Sequence, residues 1–136
     1  MKKLLIGLTL LSSLSGFAVE LTESHIDKYI FWVNVSVSEY GFKESCQKLE
    51  LALNSKQGKS LAEEVRGDAE KFLDSSCDKS EKLSDDDIKG LISSVKWIPS
   101  DSDCRNLDFA LQSDKSSYVS GNVISYGQEV LDINCD

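Results

Sequence analysis

The chain carries a duplication within itself. Residues 46–78 and 104–136 align without a gap at an offset of 58, and ten of the 33 aligned pairs are identical. The identities are Cys46/Cys104, Leu49/Leu107, Ala52/Ala110, Leu53/Leu111, Ser55/Ser113, Val65/Val123, Leu73/Leu131, Asp74/Asp132, Cys77/Cys135 and Asp78/Asp136. Average composition would give roughly two or three coincidences over such a length. A repeat constrains the fold because both copies must suit one backbone.

Carried upstream at the same offset, the alignment pairs Glu23/Glu81, Asp27/Asp85, Ile30/Ile88, Val33/Leu91, Ser36/Ser94, Val37/Val95 and Tyr40/Ile98. The unit is then about 58 residues, and two copies, 20–78 and 79–136, make one globular domain. Each copy resolves the other. Residues 31–38 alone look like a strand, β-branched and alternating at Val33, Val35 and Val37. Their counterpart, 84–97, looks like a helix, with a Ser84/Asp87 capping box and apolar residues at helical spacing. The shared stripes Ile30/Val33/Val37 and Ile88/Leu91/Val95 predict a helix in both copies, stopped near Gly41 and Pro99.

A second helix is expected to start near Ser45 and Asp103, and a polar loop to follow at 54–59 and 112–117. A third helix is expected from Ser60, boxed by Glu63, with Leu61, Val65, Ala69 and Phe72 on one face. Its counterpart presents Val119, Val123, Gly127 and Val130. Gly121 and Gly127 weaken that last helix by about 1 kcal/mol each relative to alanine, which makes a hairpin over 122–133 the competing reading. The fold expectation is all-α: two tandem three-helix repeats packed about a pseudo-twofold axis. The alternative is α+β with a C-terminal β-hairpin.

The N-terminus reads as a bacterial-style secretory signal. Lys2 and Lys3 precede an apolar stretch from Leu4 to Phe17, and small residues at Gly16 and Ala18 place the cut after Ala18. That stretch is too short to span a bilayer. A soluble periplasmic or secreted protein, residues 19–136, is expected. Four cysteines in an exported chain read as disulfides. An ancestral unit with two cysteines favours Cys46–Cys77 and Cys104–Cys135, one bridge per copy. Zinc is disfavoured, since no CxxC and no nearby histidine accompanies the cysteines.

The net charge of −8 becomes −10 once Lys2 and Lys3 are removed. Such a surface repels phosphate backbones and anionic lipid, and it attracts a basic partner. No phosphate-binding loop, HExxH, GxSxG or calcium-loop pattern occurs. The single histidine, His25, reads as a helix-start residue, with neither nucleophile nor second ligand near it in sequence. Asp85, Asp86 and Asp87 suit the first turn of a helix. Asp101, Asp103 and Asp108 lack the glycine and closing glutamate of a calcium loop. Trp32 and Trp97 fall outside the repeated stripes and are the candidate partner contacts. No catalytic residue, cofactor or metal site is assigned. The functional expectation is a non-enzymatic, inhibitor- or immunity-like protein-binding module. The alternative is a carrier of a small apolar ligand between the repeats.

Overall fold

The computed structural model describes residues 20–78 and 82–135. The expected export signal, Glu81 and Asp136 lie outside them. The described chain is all-α: α1 (Glu23–Val35), α2 (Glu39–Asn54), α3 (Lys56–Lys59), α4 (Glu63–Ser76), α5 (Asp85–Trp97), α6 (Asp101–Gln112), a 3-10 turn (Asp114–Ser116) and α7 (Gly121–Asn134). No strand occurs among the described residues, so the hairpin alternative is not realised. Residues 122–133 are helical throughout. Gly127 sits where a Cβ would press on the Leu111 methyls at 3.0 and 3.2 Å, so close helix packing accounts for the glycine.

The chain forms two compact units. The first holds α1 to α4, Lys82, Leu83 and the segment 112–118; the second holds α5, residues 101–111 of α6, and α7. In the first unit α1 packs chiefly on α2, and α2 also meets α4. In the second, α5 packs chiefly on α7. Each unit has its own bridge, Cys46–Cys77 and Cys104–Cys135, with Cα atoms 5.8 and 6.0 Å apart. All four cysteines are buried.

The offset of 58 holds from Cys46 onward: α4 and α7, the two bridges, and the caps at Ser55 and Ser113 all recur at it. Upstream the register is different. Thr22 and Ser84 are the N-caps of α1 and α5, and each heads a capping box closed by His25 or Asp87. Those residues lie 62 apart, as do buried Leu21/Leu83, Ile26/Ile88 and Val33/Val95. Ser38 and Ser100 also differ by 62, and each accepts a backbone N–H three residues on, from Gly41 and Asp103. The four extra residues therefore lie inside α2, which has 16 residues against 12 in α6. Four residues make about one helical turn. The insertion leaves the Cys46, Leu49, Leu53 stripe intact while moving α1 along.

Several boundaries shift accordingly. α1 ends at Val35, its buried residues are Ile26, Tyr29 and Val33, and Val37 is fully exposed, so Ile30/Val33/Val37 is not its core stripe. In α5 the buried set is Ile88, Ile92 and Val95. Helix two begins at Glu39 and Asp101, earlier than Ser45 and Asp103, because Ser38 and Ser100 supply the caps. Gly41 lies inside that helix rather than stopping α1. The third helix starts at Glu63 without a side-chain cap, and Ser60 instead donates to the Lys56 carbonyl at 3.2 Å. Part of the expected loop at 54–59 is the short helix α3, which Ser55 caps while donating to the Ala52 carbonyl at 2.6 Å.

Segment 112–118 is strapped onto the first unit. Leu83 N–H donates to the Lys115 carbonyl at 2.8 Å, and Lys56 N–H to Gln112 Oε1 at 3.0 Å. Lys115 Nζ lies 3.3 Å from the buried Glu50 carboxylate.

Candidate functional site

The C-terminal half of α1 is apolar on more sides than one buried face requires. Ile30 is half-buried and Val33 fully so, yet Phe31, Trp32 and Val35 stand in solvent. On a helix, residues three and four apart are neighbours, so Phe31 and Trp32 both adjoin Val35. The Phe31 and Trp32 rings meet edge to face at 5.5 Å. The patch continues through the following turn to Val37, wholly exposed, and to Tyr40 at the start of α2.

The turn beneath these side chains is hydrogen-bonded. Ser36 Oγ donates to the Trp32 carbonyl at 2.6 Å and lies 3.3 Å from Ser45 Oγ of α2. Phe31, Trp32 and Tyr40 are 55%, 60% and 75% exposed. With roughly 150–250 Å² per aromatic side chain, the three rings alone hold about 400 Å² in water. An apolar patch of that size is comparable with the largest that a typical monomer exposes, and such patches are often functional.

Of the two tryptophans singled out from the sequence, Trp32 lies in this patch. Trp97 is 84% exposed at the last position of α5, beside exposed Ile98, in the second unit. In the register of 62, Trp97 matches Val35, so both copies end their first helix on an exposed apolar residue. Sequence patterning does not mark Phe31, Val35 or Tyr40 as contacts, and it assigns Val37 to a core stripe. The signal was there in the unbroken apolar character of residues 29–33, which one-sided burial cannot use up.

Four of the polar candidates, His25, Asp85, Asp87 and Asp103, are hydrogen-bonded at helix starts. His25 Nδ1 accepts from the Thr22 N–H at 3.0 Å, closing the α1 capping box. Asp87 closes the α5 box, accepting from the Ser84 N–H at 2.9 Å. Asp85 accepts from the Ser120 hydroxyl at 2.6 Å and from its N–H at 2.8 Å, tying the start of α5 to the N-cap of α7. Those bonds hold the Asp85 carboxyl below its ordinary pKa, with Lys89 adding a smaller effect in the same direction. Asp103 bonds Ser100 at the start of α6. Among the described residues no three metal-ligating side chains gather, and no helix is long and apolar enough to cross a membrane. Comparison with protein-family models, with curated proteins and with solved structures finds no match for this chain.

Proposed function

We propose that this chain is an exported binding module, inhibitor- or immunity-like in mode, which docks a protein partner through the apolar turn at the end of α1. The patch of Phe31, Trp32, Val35, Val37 and Tyr40 carries this reading, because it commits large apolar side chains to solvent on a hydrogen-bonded turn. Aromatic anchors of this kind dominate the energetics of protein interfaces. Two internal bridges give the module the rigidity that lowers the ordering cost of binding. Export is supported by the N-terminal signal pattern and by the disulfides, which persist in oxidising compartments. The favoured partner surface is an apolar pocket with a basic rim, given the net charge of −8 and the exposed Glu39 and Glu44 beside Tyr40.

The test is comparative capture from the source cells' envelope extract. The native chain should retain a partner that Trp32→Ala loses, with affinity at least about thirtyfold weaker, as for a hot-spot residue of about 2 kcal/mol. A partner held equally well by Trp32→Ala and Phe31→Ala, or no partner at all, defeats the proposal.

A further inference from the structure

α5 and α7 form an open groove of about 430 Å³ along their seam, lined by Lys89, Ile92 and Lys96 from one helix and Asn122, Val123 and Tyr126 from the other. Its floor is apolar, since Ile92 and Val123 are buried. Its two charged lining residues are both lysine. Lys96 Nζ donates to the Tyr126 hydroxyl at 2.6 Å and lies 5.3 Å from the ring centroid, which holds the ammonium at the seam. The surrounding unit is acidic: its described residues carry eight carboxylates (Asp85, Asp86, Asp87, Asp101, Asp103, Asp108, Glu129, Asp132) against Lys89, Lys96 and Arg105. Two of its three cations thus face one groove.

The first unit has the corresponding seam, between α1 and α4, which also contact one another. The register of 62 puts Asp27 at the place of Lys89, Ile30 at Ile92 and Asn34 at Lys96. The register of 58 puts Glu64 at Asn122, Val65 at Val123 and Asp68 at Tyr126. The apolar pair is kept, while the polar positions lose both lysines and gain three carboxylates. Three exposed carboxylates stand where the other seam presents Lys89, Asn122 and Tyr126, and Asn34 stands in place of Lys96.

We propose that the α5/α7 groove of one copy receives the α1/α4 seam of a second copy, pairing Lys89 and Lys96 with the Asp27, Glu64 and Asp68 side of its neighbour. Rim charges mainly set register and partner choice rather than strength, so the association is weak and specific. The like net charge of the copies opposes it, which leaves the locally opposite seams and their apolar floors as its source. This contact is separate from the Trp32 turn and stands or falls without it.

Sedimentation equilibrium of the disulfide-bonded chain, up to about 1 mM in about 0.15 M salt, tests it. The native chain should show a concentration-dependent dimer. The variants Lys89→Glu/Lys96→Glu and Asp27→Lys/Glu64→Lys/Asp68→Lys should each dimerise at least about tenfold more weakly, consistent with like charges facing across the contact. Mixed in equal amounts, the two variants should form a heterodimer. All five substitutions are at exposed positions, and circular dichroism confirms that the variants are folded. A native chain that is monomeric at the highest concentration overturns the proposal, as do variants that dimerise like the native chain or fail to pair when mixed. Trp32→Ala should dimerise like the native chain, so loss of partner capture and loss of dimer are told apart.

Discussion

Removing either disulfide should cost the same amount, although the bridges lie in separate units. Each joins residues 31 apart. In the chain-entropy model a loop of that length contributes about 12 cal/mol/K, or about 3.7 kcal/mol at 25 °C. The variants are Cys46→Ala/Cys77→Ala and Cys104→Ala/Cys135→Ala. Alanine leaves a small apolar group at sites that are almost fully buried, so no polar atom is stranded. The 113 described residues carry an unfolding entropy of about 0.24 kcal/mol/K. Each loss should therefore lower Tm by about 15 °C. Urea unfolding followed by circular dichroism measures both costs, and a larger m-value is expected as the unfolded chain expands. Losing both bridges removes about 7 kcal/mol, which is comparable with the whole stability of a domain this size, so the cysteine-free chain should be largely unfolded at 37 °C. The reasoning fails if either pair costs under about 1 kcal/mol, or if the two costs differ by more than about 2 kcal/mol.

Asp85→Asn should destabilise the fold at neutral pH and make no difference in acid. The folded-state pKa of Asp85 is depressed, so its contribution is present above the ordinary carboxylate value of about 4 and is lost as pH falls below it. Urea midpoints of the two proteins against pH should converge on the acid side; a constant gap would contradict the mechanism. Gly67→Ala and Gly90→Ala should each stabilise by about 0.5–1 kcal/mol, since both lie in helices with open space where the Cβ would go. Gly58→Ala should destabilise strongly, because its Cβ would strike the Ala52 and Leu53 carbonyls; thermal melts rank the three. Lys115→Met should cost about 1–3 kcal/mol by leaving the buried Glu50 carboxylate without its 3.3 Å partner, and adding Glu50→Gln should recover most of that in a double-mutant cycle. Deleting residues 40–43 removes one turn of α2 and should leave a cooperatively folding chain, whereas deleting only 41–42 turns α1 about 200° around the α2 axis and should abolish cooperativity. Equal tolerance of the two deletions would refute the inserted turn.

The cysteine pairing and the helical class were legible because each copy supplied what the other lacked. Residues 31–38 look like a strand until the counterpart helix is laid beside them, and Gly127 looks like a helix breaker until Leu111 is seen against it. The register of the first helix was not legible. At an offset of 58 the pairs Ile30/Ile88 and Val37/Val95 mimic a shared stripe, because a slip of four residues on a helix returns apolar positions almost to the same face. The hydrogen bonds of the caps break that degeneracy, since Thr22 and Ser84 each close a box that admits only one register. Asp85 to Ser120 could not be read either: the contact spans 35 residues, and no local pattern announces it.

That contact also gives a reason for the different packing of the two first helices. Ser120 offers Asp85 both a hydroxyl and an N–H, which draws the start of α5 onto the N-cap of α7. The equivalent cap of α4 is Ala62, which has no hydroxyl to offer Glu23. Without that clamp, and displaced by an extra turn of about 6 Å, α1 finds its main neighbour in α2. α1 buries three side chains, as α5 does, and Phe31, Trp32 and Val35 are apolar residues left outside in addition to them. At the matching positions α5 carries Ser93, Ser94 and Trp97, so two of the three places that are apolar in α1 are polar in α5. The broad apolar surface on the first unit and the narrow one on the second thus follow from the exchange of Phe31 and Trp32 for Ser93 and Ser94 on helices that bury equally many residues.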